Sequence, residues 1–500
     1  MTVREVEVLV VGAGVAGICA GVTLDGIGVH DYVIIDRAPE FGGTWYANTY
    51  PGLACDIPSQ VYSYSFAPHR EWSRVFAPGP EIQSYLLGVV ERFGLRPHAD
   101  LGTELHALHW DDASARWSAE TTNGTYRARW VIVGTGVLED PRVPDIPGLT
   151  EFPGSVFHSA RWPGNADITG RRVAVLGTGA SSIQIVPEIQ PAAGHLTVFQ
   201  RTPAWVVPKL DLVHSRAFRA LARRFGWVGR ALRGVEWVGV EAFLASLYSR
   251  RASTAVALAA RWNIRRAIKD PALRRALTPD YVLGCKRALL SNTYYRALAA
   301  ANCEVVPAGV TEVRGSTVVA ADGTEREVDA IILATGFHMV DPPVYGLIHR
   351  RDGRTVAEHW AGRPEAYKGT AIAGCPNLFT ISGPNGSTAS VFAGIEATCG
   401  YIGAALRTAR ERRLRTLEVR PDTAKQWKAA ANRRLAATMH SVGGCTNQYT
   451  DRDNQNVTLF PATMTGMGRT LREFDPAAYL VGTWPDDSEP VAAEAPAVEA

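Results

Sequence analysis

Cysteine is scarce in this chain. Cys19, Cys55, Cys285, Cys303, Cys375, Cys399 and Cys445 are scattered over 500 positions, and their number is odd. None stand in a C-x-x-C pair. The spacing therefore predicts neither a redox-active disulfide nor a zinc site, argues against disulfide-reductase chemistry, and gives no metal to expect. It also predicts a reducing compartment. Long apolar runs are missing too, so no bilayer-spanning segment is expected. Met1 to Glu7 carries three charged residues and passes directly into a strand-like run, which is not the pattern of a secretory signal. The expected location is the cytoplasm. Net charge is small: 52 Lys and Arg against 49 Asp and Glu give +3, too little to argue for a nucleic-acid partner. With 46% hydrophobic and 20% charged residues, the chain reads as an ordinary globular protein of two or three domains.

Two glycine-rich loops are present. Val6 to Val11 is a mostly apolar strand of the buried parallel type, followed by Gly12-Ala13-Gly14-Val15-Ala16-Gly17 and a helical run to about Leu24. Gly12 permits the tight turn, Gly14 lets a pyrophosphate approach the backbone, and Gly17 lets helix and strand pack closely. A second strand, Tyr32 to Ile35, ends at Asp36, placed to take ribose hydroxyls. The second loop follows the strand Val173 to Leu176 and reads Gly177-Thr178-Gly179-Ala180-Ser181-Ser182, with small Ser182 in place of a third glycine. The next strand, Leu196 to Phe199, leads to Gln200-Arg201-Thr202. Arg201 stands at the same offset from its loop as Asp36 does from the first. A carboxylate repels a 2′-phosphate, whereas a guanidinium binds it in two places. That contrast assigns FAD to the first loop and NADPH to the second.

Between the loops lies Phe152-Pro153-Gly154-Ser155-Val156-Phe157-His158-Ser159-Ala160-Arg161-Trp162-Pro163. A plain linker whose Phe and Trp pack is one reading. The spacing F-x-G-x-x-x-H-x-x-x-W-P resembles the fingerprint of the Baeyer–Villiger monooxygenases, a branch of the flavin-containing monooxygenases. The resemblance extends to Gly42-Gly43-Thr44-Trp45, to Tyr50-Pro51-Gly52-Leu53-Ala54-Cys55-Asp56, and to Lys286-Arg287-Ala288-Leu289 running into Tyr294-Tyr295. It covers the chain to about Trp484. The family departs from this sequence in usually carrying Glu where Asp36 stands.

The resemblance implies an α/β fold of two Rossmann-like dinucleotide-binding domains, for FAD and NADPH, with a helical insertion. Residues 1–150 and 331–484 would form the FAD domain, 171–208 and 281–330 the NADPH domain, 151–170 the linker, 209–280 the insertion, and 485–500 a disordered tail. Gly43, Thr44, Trp45 and Tyr62 would lie beside the flavin, and Val391 near its ring. Leu105 would meet the adenine end of FAD, with a core position an equal reading. Ala180, Ser181, Gln184 and Thr202 would join the second loop in holding NADPH, and Lys286 would meet its phosphate. His158 and Trp162 would couple NADPH position to domain orientation. Arg287 would be the active-site arginine, paired with Asp56, which touches both cofactors.

The family's reaction converts a ketone to an ester or lactone with NADPH and O2, through a flavin C4a-peroxide that must attack as an anion. A fixed guanidinium suits that oxyanion because it does not lose its proton. Rival readings are an oxygenase of sulfur or nitrogen, an uncoupled NADPH oxidase, and a flavin-bound NADPH sensor. In the insertion, Phe218, Leu221, Phe225, Val228 and Leu232 alternate with Arg216, Arg219, Arg223, Arg230 and Arg233. A helix packing its own domain is the favoured reading, and one lying on a membrane the less favoured.

Overall fold

The computed structural model describes residues 3–484; the acidic segment 486–500, expected to be disordered, lies outside the described residues. Two parallel-rich sheets carry the fold. In the first, the central strand Val3–Val11 pairs in parallel with Tyr32–Asp36 on one side and Gly124–Val133 on the other. Leu378–Thr380 returns from the far end of the chain to pair in parallel with Gly124–Val133. Side chains alternate across this sheet, as strand geometry requires. Val8, Val10 and Ile34 face the helices Val15–Gly26 and Val391–Glu411, while Leu9, Val11, Val33 and Ile35 fill the opposite core. Both faces are covered, which is why these strands read as apolar runs without alternation. Each such side chain contributes roughly 1.5–3 kcal/mol of burial.

The second sheet is wholly parallel, in the order Cys303–Val306, His195–Phe199, Arg172–Leu176, Ala330–Leu333 and Ser155–His158. The fingerprint's first half is thus an edge strand of this sheet. Its partner Ala330–Leu333 is an inner strand, so the boundary expected between 330 and 331 falls inside a strand.

The insertion is four helices, Arg216–Arg224, Gly226–Ser246, Arg250–Ala267 and Pro271–Ala276. The Ser215, Ser249 and Asp270 side chains accept from first-turn N–H groups and set three of the starts. The amphipathic pattern read through Phe218 and Leu232 is interrupted at Phe225, whose backbone is extended. The insertion is tied to the first domain by Glu236 and Arg233. Glu236 accepts from the Gln60 N–H at 3.0 Å, and Arg233 donates to the Gln60 and Ser63 carbonyls.

Burial pushes the Glu236 carboxyl up to about 7 from its ordinary 4.5, and its Oε1 has no hydrogen-bond partner. The fold therefore favours the protonated acid. That contribution to stability is complete below pH 4.5 and is lost as pH rises through 7. Glu236→Gln keeps the acceptor and removes the titration. Its melting temperature should fall less than that of the parent between these two pH values; parallel pH curves would show that Glu236 does not titrate in this range.

From Thr416 to Leu480 a helical and then loop-rich stretch is expected. The structure instead opens this region with the strand Leu414–Val419, which pairs antiparallel with Tyr479–Thr483 at its end. The helix Pro421–Leu435 and long loops lie between them.

Candidate active site

The first loop closes only because its outer positions are glycine. Gly12 has φ +110°, and a Cβ there would lie 2.6 Å from the Gly134 carbonyl oxygen. A Cβ on Gly17 would lie 1.8 Å from the Gly12 oxygen. Asp36 Oδ2 accepts from the Ala13 N–H at 2.7 Å and Oδ1 from the Ala38 N–H at 2.8 Å, so this acid braces the loop itself. The Gly42 N–H donates to Ala13, which lays Gly42-Gly43-Thr44 on Gly14. Trp45 packs edge-on against Tyr62, and Tyr62 against Phe392 beside Val391. Ser390 caps that helix and donates to the Val61 carbonyl. Glycine loop, helix N-terminus and aromatic wall form a donor set that fits a flavin dinucleotide. Leu105 packs with Val11 and Ile35, in keeping with its core reading.

The second loop repeats the first. Gly177 has φ +115° and presses on the Ala334 oxygen, whereas a Cβ on Gly179 would meet nothing within 4 Å. The middle position thus opens on free space in front of the helix Ala180–Ile189. Ser182 is fully buried where that helix packs, and Thr178 donates to the Thr202 carbonyl at 2.9 Å. Arg201 is exposed at the strand end. Burial lowers the pKa of Lys286, and the nearby Arg201 charge lowers it further. Two cations near enough for their charges to act on each other, with no salt bridge to either among the described residues, fit a phosphate group.

Gln184 has both ends of its amide engaged. Tyr50 donates to its Oε1, and its Nε2 donates to the Ala54 carbonyl, each at 2.9 Å. It thus fastens the second loop's helix to the segment leading to Asp56. Gly52 presses on the same helix with φ +80°; a Cβ there would be 2.6 Å from the Gln184 oxygen.

His158 lies opposite Leu333 in the sheet. Its Nδ1 accepts from the Ala160 N–H at 3.1 Å, and its buried Nε2 has no partner. Burial lowers its pKa against the opposing pull of the Gly336 backbone, so the ring is neutral. Trp162 packs edge-on against Phe157.

Arg287 and Asp56 meet in the centre. Arg287 Nε donates to Oδ2 at 2.8 Å and Nη2 to Oδ1 at 2.7 Å, a planar two-bond pair. With 45% of its surface open, the Arg287 side chain is accessible to a ligand. The Asp56 carboxylate raises the arginine's pKa, so its charge is permanent. Nη1 makes no bond to Asp56 and remains free to donate.

Two neighbours of this pair have no sequence signal. Tyr449 is buried beside Arg287 and Asp56; burial raises its pKa against the pull of the arginine. Cys285 is joined to Cys445 by a disulfide, which ties the Lys286-Arg287 segment to the loop leading to Tyr449. The bridge is not a C-x-x-C pair, but it removes the cysteine-spacing argument for a reducing compartment. Two cysteines 160 residues apart carry no spacing pattern.

The family model described as pyridine nucleotide-disulphide oxidoreductase matches residues 9–215, which span both loops. A cyclohexanone monooxygenase crystal structure in its closed form superposes with a TM-score of 0.86 at 28% identity, covering 97% of this chain and all of that one. The enzyme of that name from Rhodococcus sp. Phi1, bound to NADP+, gives 0.85 at 28% over 97% of this chain and all of that one. A Baeyer–Villiger monooxygenase of Streptomyces coelicolor is 47% identical over 96% of this chain and 93% of its own length. One from Pseudomonas aeruginosa is 41% identical over 96% and 92%. Identity at this level, sustained along nearly the whole of both sequences, goes beyond a shared fold, and this chain belongs to the Baeyer–Villiger monooxygenase family.

Proposed function

We propose that the protein converts a ketone to an ester or lactone at the expense of NADPH and O2, with FAD on the first loop and NADPH on the second, and with Arg287 as the residue that stabilises the reacting oxyanion. The observation that carries this reading is the two-bond Arg287–Asp56 pair, set where the two nucleotide-binding units meet. When bound, NADPH and FAD supply the reduction and activation of oxygen. The protein's own part is electrostatic and positional. Arg287 offers a fixed positive charge and a free donor to an oxygen that gains negative charge. Asp56 holds the guanidinium plane, and Gln184 holds the Asp56 segment against the NADPH helix. Arg201 and Lys286 bind the 2′-phosphate. His158, neutral at the end of the edge strand Ser155–His158, positions the nicotinamide cofactor.

In this division, the segments of the first sheet, 3–150 and 334–484, hold FAD, and those of the second, 155–208 and 281–333, hold NADPH. The partners are a small ketone and O2, and the cytoplasm is the compartment that supplies the NADPH. Aerobic turnover with paired ketones and sulfides tests the reading. Ester formation with one NADPH consumed per product supports it. Sulfoxide as the sole product would assign the protein to heteroatom oxygenation.

A further inference from the structure

The chain's net excess of positive charge lies in the helical insertion. Residues 209–280 contain fifteen Lys and Arg against five Asp and Glu, a formal +10; the whole chain carries +3, which leaves −7 for the remainder. Among the described residues, only Lys209 and Arg223 of these cations have ion-pair partners. Arg216, Arg224, Arg230, Arg250 and Arg251 are exposed and unpaired.

The same segment exposes an apolar stripe. On the 21-residue helix Gly226–Ser246, the residues Trp227, Ala231, Val235, Val238, Ala242 and Ala245 follow one another at steps of three and four, and all are exposed. Trp227 is 61% exposed, Val235 71% and Val238 68%. The helix is already packed on its other side, where Glu236 and Val240 are buried and Val240 meets Val61 and Met464. The preceding helix and its end add the exposed Leu221 and Phe225. A single exposed valine needs no explanation, but a continuous outer stripe opposite a packed inner face marks a docking surface.

We propose that this face docks on an anionic lipid surface, with the stripe in the interfacial layer and the arginines against the headgroups. Charge decides the occupant. Two copies meeting through this face would oppose two +10 segments, whereas an anionic bilayer neutralises them. No helix of the described residues is long and apolar enough to cross a membrane, so the contact is peripheral. The inner side of the same helix packs toward Ile57 and Val61, just past Asp56, so one helix separates the docked face from the wall of the proposed reaction centre. The docking inference does not depend on the reaction assigned to that centre.

Co-sedimentation of the FAD-loaded protein with phosphatidylcholine vesicles, with and without phosphatidylglycerol, tests this. Binding should be roughly tenfold stronger to the anionic vesicles and should be lost at high salt. Val235→Ser with Val238→Ser should lower it about tenfold while FAD content stays unchanged; Arg250→Gln with Arg251→Gln should weaken it through charge alone. Absence of binding to anionic vesicles, or undiminished binding by the valine variant, overturns the proposal. So does a concentration-dependent dimer in light scattering that the valine variant abolishes, since the face would then be covered by a second copy.

Discussion

Arg287→Ala should give a yellow protein that binds FAD and is still reduced by NADPH but has lost ketone oxygenation by about 10²–10³-fold or more. The prediction follows from how the side chain is held. Both of its bonds to Asp56 fix the plane of the guanidinium, and Asp56 raises its pKa, so the positive charge is present at every working pH. Removing it deprives the developing oxyanion of a preorganised donor and leaves the Asp56 carboxylate unpaired beside it, which adds like charge where negative charge must form. Arg287→Lys should recover only part of the activity, because an ammonium cannot reproduce the two-bond geometry. Anaerobic reduction by NADPH, followed separately from aerobic ester formation, divides the steps. Ester formation at the parent rate by Arg287→Ala would remove this residue from the reaction.

The second large effect is expected at Arg201. Arg201→Ala should raise KM for NADPH by roughly 10- to 100-fold, the size of one or two charge-assisted hydrogen bonds, and leave KM for NADH nearly unchanged. Lys286 sits close enough to Arg201 for the two charges to act on each other, so it retains part of the attraction for the 2′-phosphate and keeps the loss finite. Steady-state kinetics with both nucleotides decides the matter. An equal rise for NADH would mean that Arg201 supports the loop and does not read the phosphate.

The parts of the molecule legible in the sequence are those where backbone geometry dictates a residue type. Gly12 and Gly177 have positive φ and press on carbonyl oxygens, so only glycine serves, and both nucleotide loops can be found from spacing alone. The buried parallel strands are legible because both of their faces are covered. Contacts between distant segments leave no such trace. The resemblance implies that Gln184 holds NADPH, yet its amide also bonds Tyr50 and Ala54, more than 120 residues earlier. The Cys285–Cys445 bridge and the burial of Tyr449 beside Arg287 depend on how the C-terminal loops fold back. The strand Ser155–His158 is hidden because an edge strand of four residues resembles a connector. In the insertion, helical periodicity identifies an apolar face but not whether protein covers it. The outer stripe of Gly226–Ser246 emerges only when the opposite face is seen to be packed.

The most direct test of the account is turnover of a ketone under ¹⁸O₂ with NADPH. The stoichiometry is one ketone, one NADPH, one proton and one O2 giving one ester, one NADP+ and one water. The expected product is an ester with a single labelled atom, at the inserted alkoxy oxygen, the second labelled atom appearing in water. Hydrogen peroxide released in equal amount to the NADPH consumed, with no labelled ester from any ketone offered, would contradict it.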